Sequence, residues 1–142
     1  MKKQGSIIIE VIASIMILSL TTTFIVSANL QNTKILKERI LFEETNRAVA
    51  NLVNELKYNT SREEIDEMLV DGDMWFKYDK DFSKKLLQSD IQELENGDEI
   101  QLSKISDEGI GLKLKIVANV KNDDTEVSVE KEFIKSWWMD EI

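Results

Sequence analysis

Between Ser6 and Thr33 the chain carries one charged residue, Glu10. The uncharged run from Glu10 to Lys34, wound as a helix, would be on the order of 35 Å long at about 1.5 Å per residue, enough to cross the hydrocarbon core of a bilayer. The stretch from Gly5 to Val26 is therefore expected to be a membrane-spanning helix with one acid near its start. A carboxylate inside such a helix costs roughly 2.5 to 3.5 kcal/mol to insert, so Glu10 is expected to have a partner and a role.

Lys2 and Lys3, a glycine at position 5 directly before the apolar run, and Glu10 at its fixed distance beyond that glycine form a combination more specific than any of its parts. It resembles the leader and N-terminal segment of type IV pilins and of the pseudopilins of type II secretion and DNA-uptake (competence) systems. The resemblance covers residues 2–28. It implies that a prepilin peptidase cuts between Gly5 and Ser6, that Ser6 becomes the mature N-terminus and is N-methylated, and that Glu10 serves subunit assembly. It further implies an α+β, type IV pilin-like fold and a structural role as a minor pilin or pseudopilin. The implied partners are other pilin or pseudopilin subunits through the N-terminal helix, the peptidase, and membrane lipid before assembly; no cofactor is implied. The chain departs from the family pattern at Ser6, where a large apolar residue is usual, and at Ile7 and Ile8, where Thr and Leu are usual.

The chemistry of that pattern stands without the family. A cut before Ser6 leaves a cationic amine at the head of an apolar helix, about one and a half turns from Glu10. In a staggered bundle, the carboxylate of one subunit can meet the amine of the next and neutralise both where water is scarce. Alternatively, Glu10 lies at the membrane boundary and reaches headgroup water. The segment itself has two rival readings. A secretory signal peptide cut after Val26-Ser27-Ala28, before Asn29, would release a soluble binding module; an uncleaved single-pass anchor would keep the whole chain. Glu10 within the apolar region, and an apolar region longer than the usual 7 to 15 or so residues, speak against the signal peptide.

The formal charge is −9 over 142 residues and becomes two units more negative once Lys2 and Lys3 are removed. Such a balance opposes nonspecific binding to nucleic acid and to anionic lipid. Two lysines on the short side and acids beyond place the leader in the cytoplasm and the bulk outside, with the cell-surface filament as the destination that the resemblance implies. Cysteine and histidine are absent, which removes disulfides, thiolate metal sites, the commonest general base and the usual nucleophile pairs. No enzymatic role is expected. Asp71, Asp73, Asp79 and Asp81 miss calcium-loop spacing because Trp75 stands at the third ligand position. A loop calcium site at Asp71 and Asp73, or at Asp123 and Asp124, is the alternative to ordinary turn chemistry there.

The expected organisation is a leader (residues 1–5), a transmembrane and filament-core helix (6–28), its amphipathic continuation (29–58) and an α+β extracytoplasmic head (59–142). One helix is expected from Ser6 to about Lys57, since Leu41, Phe42, Ala48, Val49, Leu52, Val53 and Leu56 recur at three- and four-residue spacing. The seven-residue stripe Ile35, Phe42, Val49, Leu56 is expected to pack beneath the head, too few heptads being present for a coiled coil. Ser61 with Glu64 predicts a capping box opening a short helix, and Asp71-Gly72-Asp73 a turn. Met74-Trp75-Phe76 with Tyr78 is expected in the core or a subunit interface. A second short helix is expected from Asp81 to about Leu94, and a turn at Asn96-Gly97-Asp98.

The last third predicts a three-stranded antiparallel meander: Glu99 to Ile105, Ile110 to about Lys121, and Thr125 to Ser136, with a turn at Ser106–Gly109. A two-residue loop at Asp123-Asp124 sets Val120 opposite Val127 and Ala118 opposite Val129 inside, with Lys121 opposite Glu126 and Lys115 opposite Glu132 outside. Lys131 is the misfit, pointing inward opposite Ile116, to be accommodated where the core thins or by snorkelling. Alternation allows one of Trp137 and Trp138 to be buried, leaving the other as a contact candidate.

Overall fold

In the computed structural model, which describes residues 2–109 and 111–140, the helical periodicity is realised as one helix, α1 (Lys2–Tyr58). The chain divides into two compact units, residues 1–37 and 38–142. In the first, every large apolar side chain from Ile7 to Leu36 is exposed, on all sides of the helix. By length and composition this helix is able to cross a membrane.

In the second unit α1 buries one face, made by Leu41, Thr45, Ala48, Val49, Leu52, Val53 and Leu56. Of the seven-residue stripe only Val49 and Leu56 lie on it, for Ile35 is exposed and Phe42 is 47% exposed. A straight helix of 3.6 residues per turn drifts by about 20° per heptad, so a strict seven-residue interval walks off a flat packing surface. The burial face follows 41, 45, 48, 52, 56 instead, and packs against a sheet.

That sheet has four strands: β1 (Met74–Phe76), β2 (Ile100–Glu108), β3 (Gly111–Asn122) and β4 (Thr125–Ser136), antiparallel in the order β1-β2-β3-β4. The architecture is α+β. The added strand is β1, too short for alternation to announce it, with Phe76 fully buried and Trp75 exposed on the other side. The β3–β4 register is the one read from the sequence, including Val120 opposite Val127, Ala118 opposite Val129 and Lys131 opposite Ile116. The ion pairs on the outer face run diagonally, Lys113 to Glu132 and Lys115 to Glu130, each at 2.8 Å. Long side chains reach a diagonal neighbour as readily as the residue directly opposite.

Residues 106–108, expected in a turn, belong to β2, because a bulge at Ile105 shifts the register between Lys104 opposite Leu114 and Ser106 opposite Lys113. The expected start of the second strand at Ile110 lies outside the described residues. The capping box forms at the start of α2 (Arg62–Met68): the Glu64 N–H donates to Ser61 Oγ at 3.2 Å and the Ser61 N–H to Glu64 Oε2 at 2.8 Å. Helix α3 (Phe82–Gln88) ends six residues short of the expected Leu94, as Ser89 and Asp90 take extended backbone and Ile91–Glu93 forms a separate 3₁₀ turn. An unbroken helix continuing the face of Phe82 and Leu86 would have turned Ser89, Asp90 and Glu93 inward; the break lets Ile91 and Leu94 reach the core. Gly97 permits a close approach, since a Cβ there would sit 2.4 Å from the Lys77 Cα.

Two inward register positions of β4 carry lysine, one as the sequence reading expects and one that it did not anticipate. Lys131 occupies its inward register position and is exposed, as a thinning core allows. Lys135, on the same parity, is 1% exposed: its Nζ donates to the Lys57 carbonyl at 3.0 Å and to the Thr60 carbonyl. A cation thus closes the Lys57 carbonyl in the last turn of α1 and the Thr60 carbonyl just beyond it, where the helix dipole also favours it. Trp137 and Trp138 are both exposed, at 57% and 48%, so neither is the buried one expected. Alternation ends with the strand at Ser136, and the chain turns into a 3₁₀ helix at Trp137–Asp140.

Replacing Lys135 by Met should lower the unfolding free energy of the full-length protein in detergent by about 1–3 kcal/mol, the penalty of leaving buried carbonyls without a donor. Lys131→Met should change it by less than about 0.5 kcal/mol. Equal effects in denaturant titrations would refute the capping role.

Candidate functional site

The three residues singled out by the sequence, Gly5, Ser6 and Glu10, lie on consecutive turns of α1 and are all exposed. A spacing of four puts Ser6 and Glu10 on one face, and the Ser6 hydroxyl donates to Glu10 Oε1 at 3.2 Å. One turn further, the Ser14 hydroxyl donates to the Glu10 carbonyl at 2.8 Å. The carboxylate thus accepts from the Ser6 hydroxyl, and the Ser6 nitrogen lies in the Gly5–Ser6 peptide bond. Gly5 packs on nothing: a Cβ placed there would meet no atom within 4 Å. Glycine in a helix costs about 1 kcal/mol relative to alanine. Neither packing nor backbone geometry accounts for it.

Beyond Glu10 the hydroxyls from Ser14 to Thr23 are turned back on the helix. Ser19, Thr22 and Thr23 each donate a side-chain hydroxyl to the carbonyl four residues earlier at 2.8 Å, and Thr21 donates to the Ile17 and Leu18 carbonyls at 3.0 and 2.9 Å. These bonds remove the hydroxyls from any demand for water, which is what hydrocarbon requires. Glu10 is the one charged residue between Gly5 and Lys34.

The head holds two surface ion networks. Lys85 bridges Asp79 at 2.6 Å and Glu95 at 3.2 Å, and Lys77 joins Glu95 at 3.1 Å, tying α3 to the segment after it. Arg62 meets Asp107, and Lys104 meets Asp66 at 2.8 Å and Asp107 at 3.2 Å, tying α2 to β2. The lysine hydrogen bond is in each case the first cause that holds Asp79, Glu95, Asp107 and Glu132 below the usual carboxylate range, through Lys85, Lys77, Lys104 and Lys113 respectively. Lys85, Lys104 and Lys115 are pushed up by Asp79, Asp66 and Glu130 in turn.

An open cleft of about 460 Å³ lies between the turn after α2 and the 3₁₀ segment, lined among others by Glu67, Asp71, Asp73, Trp75 and Asn96. Asp71 and Asp73 flank Gly72, whose φ of 117° makes the turn, and Asp73 accepts from the Gln101 amide at 2.6 Å. Asp123, at φ 50°, likewise serves its hairpin loop. Among the described residues no group of three or more His, Cys, Asp or Glu could hold a metal ion. The sequence reading missed Lys135, although extending the alternation that exposed Lys131 as a misfit reaches it two steps later. Comparison with family models, curated proteins and solved structures finds no match to this chain.

Carboxylates with depressed folded values contribute stability that is full above their unfolded values, about 3.9 for Asp and 4.3 for Glu, and is lost as pH falls through the folded ones. The melting temperature of the head should hold from neutrality to about pH 5 and decline from there toward about pH 2. Added salt should shrink the decline, because these pairs face solvent. Melting curves in buffers of low and high ionic strength check both, and a head that gains stability on acidification contradicts the assignment.

Proposed function

We propose that this protein is a structural subunit, a minor pilin or pseudopilin, of a type IV pilus, type II secretion or DNA-uptake filament. The observation that carries the reading is the fully exposed apolar half of α1 with Glu10 as its lone charge. Such a surface is far larger than a soluble monomer leaves uncovered, and lipid or like helices are its natural cover. Gly5 supports the reading too, as a glycine that the helix tolerates at a loss and that a peptidase recognises. The pilin-like assignment of the α+β head rests on the same resemblance.

In the proposed cycle the chain waits in the cytoplasmic membrane with its head outside. Cleavage after Gly5 turns the Ser6 nitrogen into a cationic amine, and Ser6 is the residue that is then methylated. Glu10 of an arriving subunit pairs with the Ser6 amine of its neighbour, which sets the stagger between helices. The pair forms in a bundle from which water is excluded, where an unpaired carboxylate would be most costly. The Ser6 hydroxyl holds the carboxylate on the face it must use.

Intact-mass measurement of the mature protein should give a chain that begins at Ser6, with or without one methyl group. A Glu10→Ala variant should reach the membrane in normal amounts and fail to enter filaments, while Glu10→Asp retains part of the incorporation. A soluble product that begins at Asn29 would establish the secreted-module alternative, and unimpaired incorporation of Glu10→Ala would end the assembly role.

A further inference from the structure

The sheet ends on β4, a strand of 12 residues, whereas its other edge, β1, has three. The two-residue loop closes with Asn122 opposite Thr125, so the ladder alternates from that pair. The backbone N–H and C=O groups of Glu126, Ser128, Glu130, Glu132 and Ile134 consequently point away from β3. Among the described residues, backbone hydrogen bonds outside the helices and ladders involve no residue of β4. An unpaired edge of this length is a template for an added strand.

The side chains say what such a strand must be. Glu126, Glu130 and Glu132 stand on the outer face, and Lys131 and Lys135 share the other parity. In every antiparallel register that keeps faces matched and overlaps more than half of the strand, two copies of β4 set Glu opposite Glu or Lys opposite Lys. Parallel pairing in the matching offsets does the same. Like charges directly opposite disfavour each of these pairings, so β4 of a second copy is a poor fit to this edge. Glu130 and Glu132 keep half of their side-chain surface open while paired to Lys115 and Lys113, and Glu126 takes part in no ion pair among the described residues.

We infer that the β4 edge is a docking site for an extended segment of a partner protein that carries Lys or Arg at alternate positions opposite Glu126, Glu130 and Glu132, and an apolar residue opposite Ile134. Main-chain bonds to the outward groups hold the segment, and the acidic row selects it. The site belongs to the head alone and is independent of the role proposed for α1.

The test uses full-length protein in detergent micelles and two synthetic peptides, one alternating Lys with Val and one alternating Glu with Val. The Lys/Val peptide should bind, should slow amide hydrogen exchange at Glu126, Ser128, Glu130 and Glu132, and should weaken with salt; the Glu/Val peptide should do none of these. Ser128→Pro removes one outward N–H without breaking the β3 ladder and should abolish exchange protection. Combined Glu126→Lys, Glu130→Lys and Glu132→Lys should weaken the Lys/Val peptide by about tenfold and admit the Glu/Val peptide. Should that triple variant fail to fold by its far-UV spectrum, Glu126→Lys alone, which breaks no ion pair, should give a smaller change in the same direction. Lys/Val binding that leaves those amides unprotected, equal binding of both peptides, or undiminished binding to Ser128→Pro would each overturn the inference.

Discussion

Peptide hydrogen bonding along α1 is the constraint on which the two compact units both rest. In the apolar half Ser19, Thr21, Thr22 and Thr23 return their hydroxyls to helix carbonyls, the arrangement hydrocarbon would demand, since no water there can serve an open N–H or C=O. In the head the same ladder displays Leu41, Ala48, Leu52 and Leu56 to the sheet. The Lys57 carbonyl in its last turn, which no further turn can satisfy, is met by Lys135, as is the Thr60 carbonyl just after it. Each unit thus solves the same bonding problem with the means its surroundings permit.

Where charge sits follows from where water is. The apolar half holds one acid, and the head spreads its excess acid over exposed loops and strand faces, where lysines answer it at hydrogen-bond range. Exposed pairs of this sort contribute little stability singly. They do order the surface: one network pins α2 to β2, another joins α3 to the segment that follows it, and the diagonal pairs of the outer face neutralise β3 against β4. Glu126 and Glu10 stand outside these arrangements.

The parts of the fold legible in the sequence are those set by short-range period. The long helix, the Ser61–Glu64 box and the β3–β4 register follow from spacings within a few residues of one another, and the charges on either side of Asp123-Asp124 fix the register without ambiguity. What escaped depends on partners distant in sequence. Strand β1 exists because β2 offers it an edge, the bulge at Ile105 lengthens a strand that turn chemistry seemed to end, and Ser89-Asp90 break a helix so that Ile91 and Leu94 can be buried. Phe42 shows how a tidy interval of seven misleads when the partner is a sheet rather than another helix. Of the candidate site, the identity of Gly5, Ser6 and Glu10 was visible in the residues, while the hydroxyl contact between Ser6 and Glu10 needed the helix to be built.

The Lys135 contact also has a temporal side. Its ammonium meets a carbonyl 78 residues earlier in the chain, from the last strand of the sheet. A ribosome delivers α1 long before it delivers that strand, and a contact so remote in sequence must await the intervening loop. The apolar segment is complete while the Lys57 carbonyl still lacks its lysine, and the head closes only after the final hairpin arrives. Synthesis order alone thus sets the completion of α1 apart from the closure of the head.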